Sequence, residues 1–238
     1  MDSEFLYDLF GDQEGIVYSP TKENGWTQYF FDWQTERDAL IDHMSKYDRT
    51  DVYVSPALFK ERRISPQSFK GTNYLWTEFD GSIPKDAIEP TMRVVSSKEG
   101  HEHWYWKLDH FETNKTILED LNRRIAYHYG ADLSVWDYQN VLRPVDTWNH
   151  RRQRPVVLLS KTNKTYRVDD FTNIPIPPLS SRVDVTLGEL PPRDEILAKY
   201  KWPSDTLDLL FKEADEVSDR STALMRIAFD AIEIGCSN

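Results

Sequence analysis

Residues 73–82 read NYLWTEFDGS, an apolar run that ends on two acids, Glu78 and Asp80. Alternation with period two predicts a strand that carries Trp76, Glu78 and Asp80 on one face, with Gly81 just beyond its end. The same spacing places the Cα atoms of the two acids roughly 6.5 to 7 Å apart. Two like charges at this distance repel each other unless a cation compensates them. The pair therefore indicates either a site for a divalent cation such as Mg²⁺ or two solvated acids at a strand end.

A hairpin is predicted next, from MRVVSS and HWYWKL within residues 92–108. Its serine-rich turn and His103 offer hydroxyl, backbone N–H and imidazole donors to phosphate oxygens. Two other interpretations compete with this one. His101 and His103 with Glu102 form a possible metal site, although no partner Cys and no distant HxxxH pattern accompanies them. A strand histidine is also often held in place by a hydrogen bond alone.

A helix over Lys115–Tyr129 is predicted by apolar residues at every fourth position and by Gly130 as a C-terminal cap. Asp132 follows this helix closely. Between Arg143 and Arg154 the sequence holds four Arg against one Asp, which makes this segment the strongest local positive patch. Guanidinium groups bind phosphate bidentately, whereas the alternative for each arginine is a solvated partner of an acid elsewhere.

Composition restricts the possible functions of the 238-residue chain. A formal net charge of −11 argues against a general nucleic-acid coat, and the single cysteine, Cys236, excludes an intrachain disulfide or a cysteine-based zinc site. No basic and apolar leader and no apolar run of about 18 residues occurs, so we expect a soluble, cytoplasmic protein without a membrane partner. GxxxxGK[ST], GxSxG and HExxH are absent, which excludes a P-loop motor and leaves covalent catalysis without an obvious nucleophile.

The remaining segments predict an α+β body followed by helices. WTQYFF at 26–31 reads as a strand, a helix begins near Thr35 with Thr35 and Asp38 as a capping box, and DVYVSP from Asp51 is a short strand. TNIPIPP reads as a proline-rich linker, and helical patterns follow Pro191. We predict two domains, 1–178 and 179–238. The final CSN would cap a further helix, which suggests that the chain is cut from a longer protein.

Three stretches in this order, WTEFDG, SSKEGHEHWYW and GADLS with VLRPVDTWN, resemble the archaeo-eukaryotic primase superfamily, above all its phage and plasmid primase-polymerase branch. The resemblance covers roughly residues 5 to 170. It implies that Glu78 and Asp80 match an acid-x-acid motif, although Asp-x-Asp is commoner. Ser97 matches a Ser-x-His type element together with His103 or, since the turn is longer here, His101; WYW after His103 favours His103. The third acid is Asp132, with Asp137 as the substitute.

The resemblance also implies an architecture and a reaction. The expected fold is a primase-polymerase catalytic core with an RRM-like antiparallel sheet plus a small C-terminal helical domain. The expected reaction is template-directed nucleotidyl transfer to a 3′-hydroxyl, with two Mg²⁺ or Mn²⁺ ions held by Glu78, Asp80 and Asp132. Ser97, His103 and Arg143 would bind the nucleoside triphosphate; Arg143 lies in RPVDTWN, which lacks the glycine of the relatives' RLPGTxN.

Partners follow from the same resemblance. They would be a single-stranded DNA template, nucleoside triphosphates and, in a longer protein, a helicase domain, in the replication of a phage or plasmid. Two other functions stay open at the level of sequence. One is a non-catalytic DNA-binding replication module in which the acids are incidental. The other is a metal-dependent nuclease, because carboxylate clusters also serve phosphodiester hydrolysis.

Overall fold

The computed structural model describes residues 4–23, 25–48, 50–81, 83–175, 193–212 and 220–233. The chain divides into two compact units, Met1–Leu179 and Ser180–Asn238. The predicted domain boundary after residue 178, the final CSN and Cys236 lie outside the described residues. The catalytic role predicted for residues 1–178 and the role of the helical domain stay predictions.

The first unit contains three α-helices and twelve strands within its described residues. The helices are α1 Glu4–Phe10, α2 Arg37–Met44 and α3 Lys115–Tyr129. The strands are β1 Ile16–Tyr18, β2 Thr21–Lys22, β3 Trp26–Thr27, β4 Phe30–Asp32, β5 Asp51–Val52, β6 Leu58–Phe59, β7 Phe69–Asp80, β8 Met92–Val95, β9 His101–Glu112, β10 Trp148–Asn149, β11 Arg154–Pro155 and β12 Val157–Lys161.

A seven-stranded sheet in the order β12-β8-β9-β7-β6-β1-β4 forms the centre of this unit, and neighbouring strands pair antiparallel. Its two longest strands, β7 and β9, have twelve residues each. Both strands carry large, fully buried aromatic side chains. Removal of these side chains from water stabilises the two strands over their whole length. Those side chains are Tyr74, Trp76, Phe79, Tyr105 and Trp106. The predicted α+β fold, the strand NYLWTEFD and the hairpin of β8 and β9 are confirmed.

Helix α3 has the predicted bounds because both of its ends are capped. Asn114 Oδ1 accepts hydrogen bonds from the backbone N–H groups of Thr116 and Ile117. Gly130 closes the helix in the left-handed conformation, with φ of 69°. The helix packs against β7, where Asn122 Oδ1 accepts a hydrogen bond from the backbone N–H of Trp76 at 3.0 Å. This contact fixes α3 to the edge of β7 two residues before Glu78.

The region before β6 departs from two predictions. WTQYFF is not one strand, because β3 joins a separate sheet of order β3-β2-β5 while β4 joins the edge of the large sheet. The predicted capping box is wrong as well, since α2 has Glu36 at its N-cap and no side-chain capping bond there. Asp32 Oδ1 instead accepts the backbone N–H groups of Gln34 and Thr35, which makes a turn before the helix.

The second unit is helical within its described residues, as predicted. Its helices are α4 Arg193–Lys199, α5 Ser204–Phe211 and α6 Arg220–Glu233. Among all described residues, no helix is both long enough and apolar enough to pass through a bilayer.

Candidate active site

The pairing of β7 with β9 brings two acids and two histidines onto one face of the central sheet. Glu78 lies directly opposite His103, and Asp80 lies directly opposite His101. Side chains directly opposite each other point to the same side of an antiparallel pair, and alternate positions share that side. The four side chains therefore form two adjacent carboxylate–imidazole pairs at one end of the sheet, which we call the acid–histidine face.

The inner pair of this face is Glu78 with His103. The distance from His103 Nε2 to Glu78 Oε1 is 3.5 Å, and His103 is 1% exposed. Burial acts to raise the pKa of Glu78, but its contact with His103 and the charges of His103, Arg143 and His101 outweigh burial and lower that pKa. Glu78 is therefore ionised at neutral pH, which is the state that a cation ligand requires.

The outer pair of this face is Asp80 with His101. His101 Nδ1 lies 2.8 Å from Asp80 Oδ1, and the Asp80 side chain is 59% exposed. This greater exposure follows from its position as the last residue of β7. Of the two acids Glu78 and Asp80, Asp80 is thus the one that solvent and a bound molecule can reach more easily.

Asp132 reaches the same end of the sheet through its backbone. Its N–H donates to the backbone carbonyl of Glu78 at 2.8 Å, which attaches the loop after α3 to the edge of β7. An open pocket of about 530 Å³ at this point is lined by Asp80, Gly81, Gly130, Ala131 and Asp132. The Asp132 carboxylate oxygen Oδ1 also accepts the N–H and the hydroxyl of Ser134. The structure therefore brings Asp80 and Asp132 to one pocket beside Glu78.

Asp137, the alternative third acid, lies elsewhere. Burial raises its pKa, and the nearby charged groups that act on it are Glu119 and Lys115, in the N-terminal part of α3. Asp132 is instead located just beyond the opposite end of that helix. Among the described residues, no three His, Cys, Asp or Glu side chains are close enough together to hold one metal ion. The predicted set of three metal-binding acids stays a prediction.

The turn with Ser97 packs against the end of β7. The Gly81 N–H donates to the Gly100 carbonyl at 2.9 Å, and a Cβ on Gly100 would lie 2.6 Å from the Gly81 carbonyl oxygen. Gly100 has φ of 82°, so glycine is favoured here by both backbone conformation and space. Ser97 is buried in this turn. Nucleotide binding by Ser97 and by His103, whose ring is almost fully buried, stays a prediction.

Arg143 lies inside the molecule, next to the acid–histidine face. Its Nη2 donates to the Tyr53 hydroxyl at 2.7 Å and to Asp51 Oδ2 at 3.2 Å. The guanidinium carbon is 4.7 Å from the centre of the Tyr53 ring. The Arg143 Nε is buried and has no hydrogen-bond partner among the described residues. The positive charge is close enough to Glu78 to lower the pKa of that carboxyl.

Two residues of this environment, Asp51 and Tyr53, are not among the site residues predicted from the sequence. Asp51 also accepts the backbone N–H of His150 at 2.8 Å, so it joins two segments that are distant in the chain. The segment DVYV does indicate that they lie together, since period two places Asp51 and Tyr53 on one face of a strand. No local pattern, however, indicates that Arg143 is their partner.

The predicted positive patch is not one surface. Arg143 is largely buried against Asp51 and Tyr53, whereas Arg151, Arg152 and Arg154 are exposed around the short pairing of β10 and β11. Arg143 is separated from this surface by a tertiary contact of the residue before it. Val54 and Leu142 pair as an isolated antiparallel bridge, which brings Arg143 next to Tyr53.

Comparison with known proteins gives a likeness of structure. No family model matches the sequence, and no curated protein matches it. The AEP domain of the cyanophage S-2L primase-polymerase (PrimPol) aligns with a TM-score of 0.58 and 11% identity, over 74% of this chain and 98% of that one.

Two structures of the primase RepB′ also align. One has a TM-score of 0.52 and 14% identity over 69% of this chain and 58% of that chain. The other, the catalytic domain in complex with initiator DNA, has a TM-score of 0.52 and 13% identity over 69% of this chain and 88% of that chain. The chain therefore has the archaeo-eukaryotic primase-type fold, as the resemblance implied.

Proposed function

We propose that the chain is a DNA primase-polymerase of the phage or plasmid type, which transfers nucleotides to a 3′-hydroxyl under the direction of a DNA template. One observation carries the proposal: on a primase-type sheet, the ionised Glu78 and the exposed Asp80 lie side by side, each opposite a histidine. The similar structures are those of a primase-polymerase domain and a primase, which supports this class of reaction.

The residues of the acid–histidine face fit a hard divalent cation, Mg²⁺ or Mn²⁺. Mg²⁺ is usually bound by one or two carboxylates, and water and substrate phosphates complete its coordination. Glu78 and Asp80 supply two carboxylates on one face, and Asp132 borders the same pocket as Asp80. In the proposed two-metal site these three acids hold the cations, which when bound would activate the attacking hydroxyl and neutralise charge on the phosphates.

The protein groups position the substrate and stabilise its charge. In nucleotidyl transfer the 3′-hydroxyl attacks the α-phosphorus and pyrophosphate leaves, so positioning and positive charge matter more than a protein nucleophile. Arg143 supplies a cation beside Glu78, and its orientation is fixed by Tyr53 and Asp51. His103 fixes the position of Glu78 from within the sheet, and His101 does the same for Asp80. Arg143, Ser97 and His103 would hold the triphosphate.

The proposed partners are single-stranded DNA and nucleoside triphosphates, with a helicase domain in a longer protein. One of the similar structures, the RepB′ catalytic domain, is in complex with initiator DNA, which supports DNA as a partner here. Exposed Arg151, Arg152 and Arg154 offer phosphate contacts in an otherwise acidic chain.

The test is incubation of single-stranded DNA with labelled nucleotides and Mg²⁺ or Mn²⁺, with and without a primer. We expect incorporation that requires both the template and the cation, and that Asp80→Ala abolishes while the fold is retained. Asp86→Ala, which removes an exposed aspartate between β7 and β8, is the matched control and should retain activity. Degradation of DNA without added nucleotides would identify a nuclease instead. Metal-independent DNA binding without incorporation would identify a non-catalytic module.

A further inference from the structure

A second open pocket lies on the small sheet of β3, β2 and β5. Its volume is about 420 Å³, within the roughly 300–1,000 Å³ typical of small-molecule sites. We call it the Trp26 pocket; its lining includes Trp26, Tyr29, His43, Lys46 and Thr50. Trp26 is 53% exposed, and Tyr29 is also exposed. Two accessible aromatic rings at a polar pocket are not needed for the core and indicate a contact surface.

The Trp26 pocket adjoins the candidate active site through a short series of contacts. The rings of Trp26 and Tyr53 have centroids 5.0 Å apart at an interplanar angle of 51°. Tyr53 in turn accepts a hydrogen bond from Arg143, whose charge acts on Glu78. A strand of nucleic acid that passes the candidate active site would therefore have a base within reach of Trp26.

The charge around Trp26 suits a phosphate backbone. Lys22 Nζ lies 5.2 Å from the centroid of the Trp26 ring, and Lys46 lines the pocket. Glu23 also lines it, and Asp51, which lies opposite Lys22 in the β2–β5 pairing, is compensated by its ion pair with Arg143. Thr50 adds a buried Oγ1 that has no hydrogen-bond partner within the described part of the chain.

We propose that the Trp26 pocket binds an unpaired base of the DNA strand that passes the active site, with the base stacked on Trp26. An aromatic ring beside cations is the usual platform for single-stranded nucleic acid, and stacking accepts any base because every base has a π-face. The inference rests on the proposed function for the identity of the strand. Its test uses binding alone, so its failure is distinguishable from a failure of catalysis.

The experiment measures fluorescence anisotropy of a labelled oligo-dT in EDTA, without nucleotides. Trp26→Ala should weaken binding about tenfold, since stacking on one aromatic residue contributes about this much. Trp26→Phe should restore most of the affinity, because phenylalanine keeps a ring. Tyr127→Ala, which removes an exposed aromatic residue of α3, is the control and should bind as the unchanged protein does.

Two further arms identify the ligand. An abasic strand of equal length keeps the phosphates, so the unchanged protein should bind it less tightly, and Trp26→Ala should then cause no further loss. A free deoxynucleoside triphosphate should displace the oligo-dT only weakly. Equal affinity of Trp26→Ala for oligo-dT, an equal loss with the abasic strand, or a dependence on Trp26 seen for the free triphosphate alone would each overturn the proposal. Because the abasic arm applies to the unchanged protein, it tests the contribution of the bases even if a variant fails to fold, and equal affinity for the two strands would overturn the proposal.

Discussion

Glu78 and Glu102 lie on opposite faces at the same end of the β7–β9 pair, and the two glutamates differ in how completely the protein satisfies them. Glu102 accepts Arg93 Nε at 2.8 Å, Arg93 Nη2 at 2.9 Å and Trp104 Nε1 at 2.7 Å. Glu78, on the opposite face, has only the 3.5 Å contact with His103 among its described side-chain partners. A carboxylate whose acceptor sites are filled holds the structure together, whereas one that retains acceptor capacity can bind a ligand.

Other polar atoms follow the same division. Among the described residues, three buried polar atoms without a hydrogen-bond partner lie on the face of Glu78, namely Trp76 Nε1, His103 Nδ1 and Tyr105 Oη. The face of Glu102 carries one from these two strands, Thr77 Oγ1. Buried polar groups without partners are uncommon in native proteins, and a bound ion, a bound water or a catalytic role are among their explanations. Both glutamates are charged, so charge alone does not distinguish the two faces. The face of Glu78 differs in that its carboxylate and neighbouring polar atoms have acceptor and donor sites that no group of the described residues fills.

The largest expected effect is on activity, from Glu78→Gln. We expect nucleotide incorporation to fall about a thousandfold, because the change removes a charged cation ligand and keeps the side-chain shape. The free energy of unfolding should change by less than about 1 kcal/mol. Glu99→Gln, at an exposed position of the turn between β8 and β9, is the control and should leave both quantities unchanged. A variant Glu78→Gln that retains full activity would remove the difference between the two faces.

The second prediction concerns Glu102→Gln, for which stability should change and chemistry should not. The variant leaves Arg93 facing a neutral amide, which we expect to lower the free energy of unfolding by about 2 kcal/mol. This is below the roughly 3–5 kcal/mol of a fully buried pair, because the Arg93 side chain is about a third exposed. Urea denaturation measures the loss. Incorporation per folded molecule should stay within about twofold of the unchanged protein, and a larger fall would place Glu102 in the active site.

How far the sequence predicts this molecule depends on how local each cause is. Helix α3 was predicted with its observed bounds, since Asn114 and Gly130 cap it within the chain itself. The strand β7 and its two faces were predictable as well, because alternation of apolar side chains is a property of neighbouring residues. The adjacency of Glu78 and Asp80 follows directly from that strand.

Features that depend on distant residues could not be predicted. The split of residues 26–31 between two sheets depends on partners in β1 and β2, and the burial of Arg143 depends on the bridge of Leu142 to Val54. The capping box at Thr35 failed because Asp32 formed a competing turn. The register that places His103 opposite Glu78 is likewise a tertiary result, set by the packing of aromatic residues on both faces.

A third prediction compares two glycines near the functional end of the sheet. Gly100 and Gly130 both have positive φ, but only Gly100 lies so close to another backbone that a Cβ would clash. Gly130→Ala should cost about 1 kcal/mol of unfolding free energy, from backbone conformation alone. Gly100→Ala should cost about 2 kcal/mol and also reduce incorporation, because the turn with Ser97 must shift away from Gly81. Equal losses from the two changes in a denaturation experiment would show that the close approach is unimportant.

The smallest effect concerns His110, near the other end of β9, which is exposed where His103 is buried. The hydrogen bond to Asp109 raises the pKa of His110, burial opposes this, and Glu112 adds to the rise. A raised pKa in the folded state stabilises the protein below the ordinary pKa of about 6.5, and the benefit disappears as pH rises through the folded value. His110→Gln should lose up to about 0.5 kcal/mol at pH 5.5 and nothing at pH 8, after allowance for solvent screening. An equal loss at both values would contradict the ionic origin of the effect.

Binding of Mn²⁺ tests the difference between the two faces most directly. Electron paramagnetic resonance would count bound Mn²⁺ in the presence of primer, template and a non-hydrolysable nucleotide, for the unchanged protein, Asp80→Ala and Glu102→Gln. We expect bound Mn²⁺ in the unchanged protein and in Glu102→Gln, and a loss of bound ion in Asp80→Ala. Undiminished Mn²⁺ binding by Asp80→Ala would contradict a cation site on the acid–histidine face.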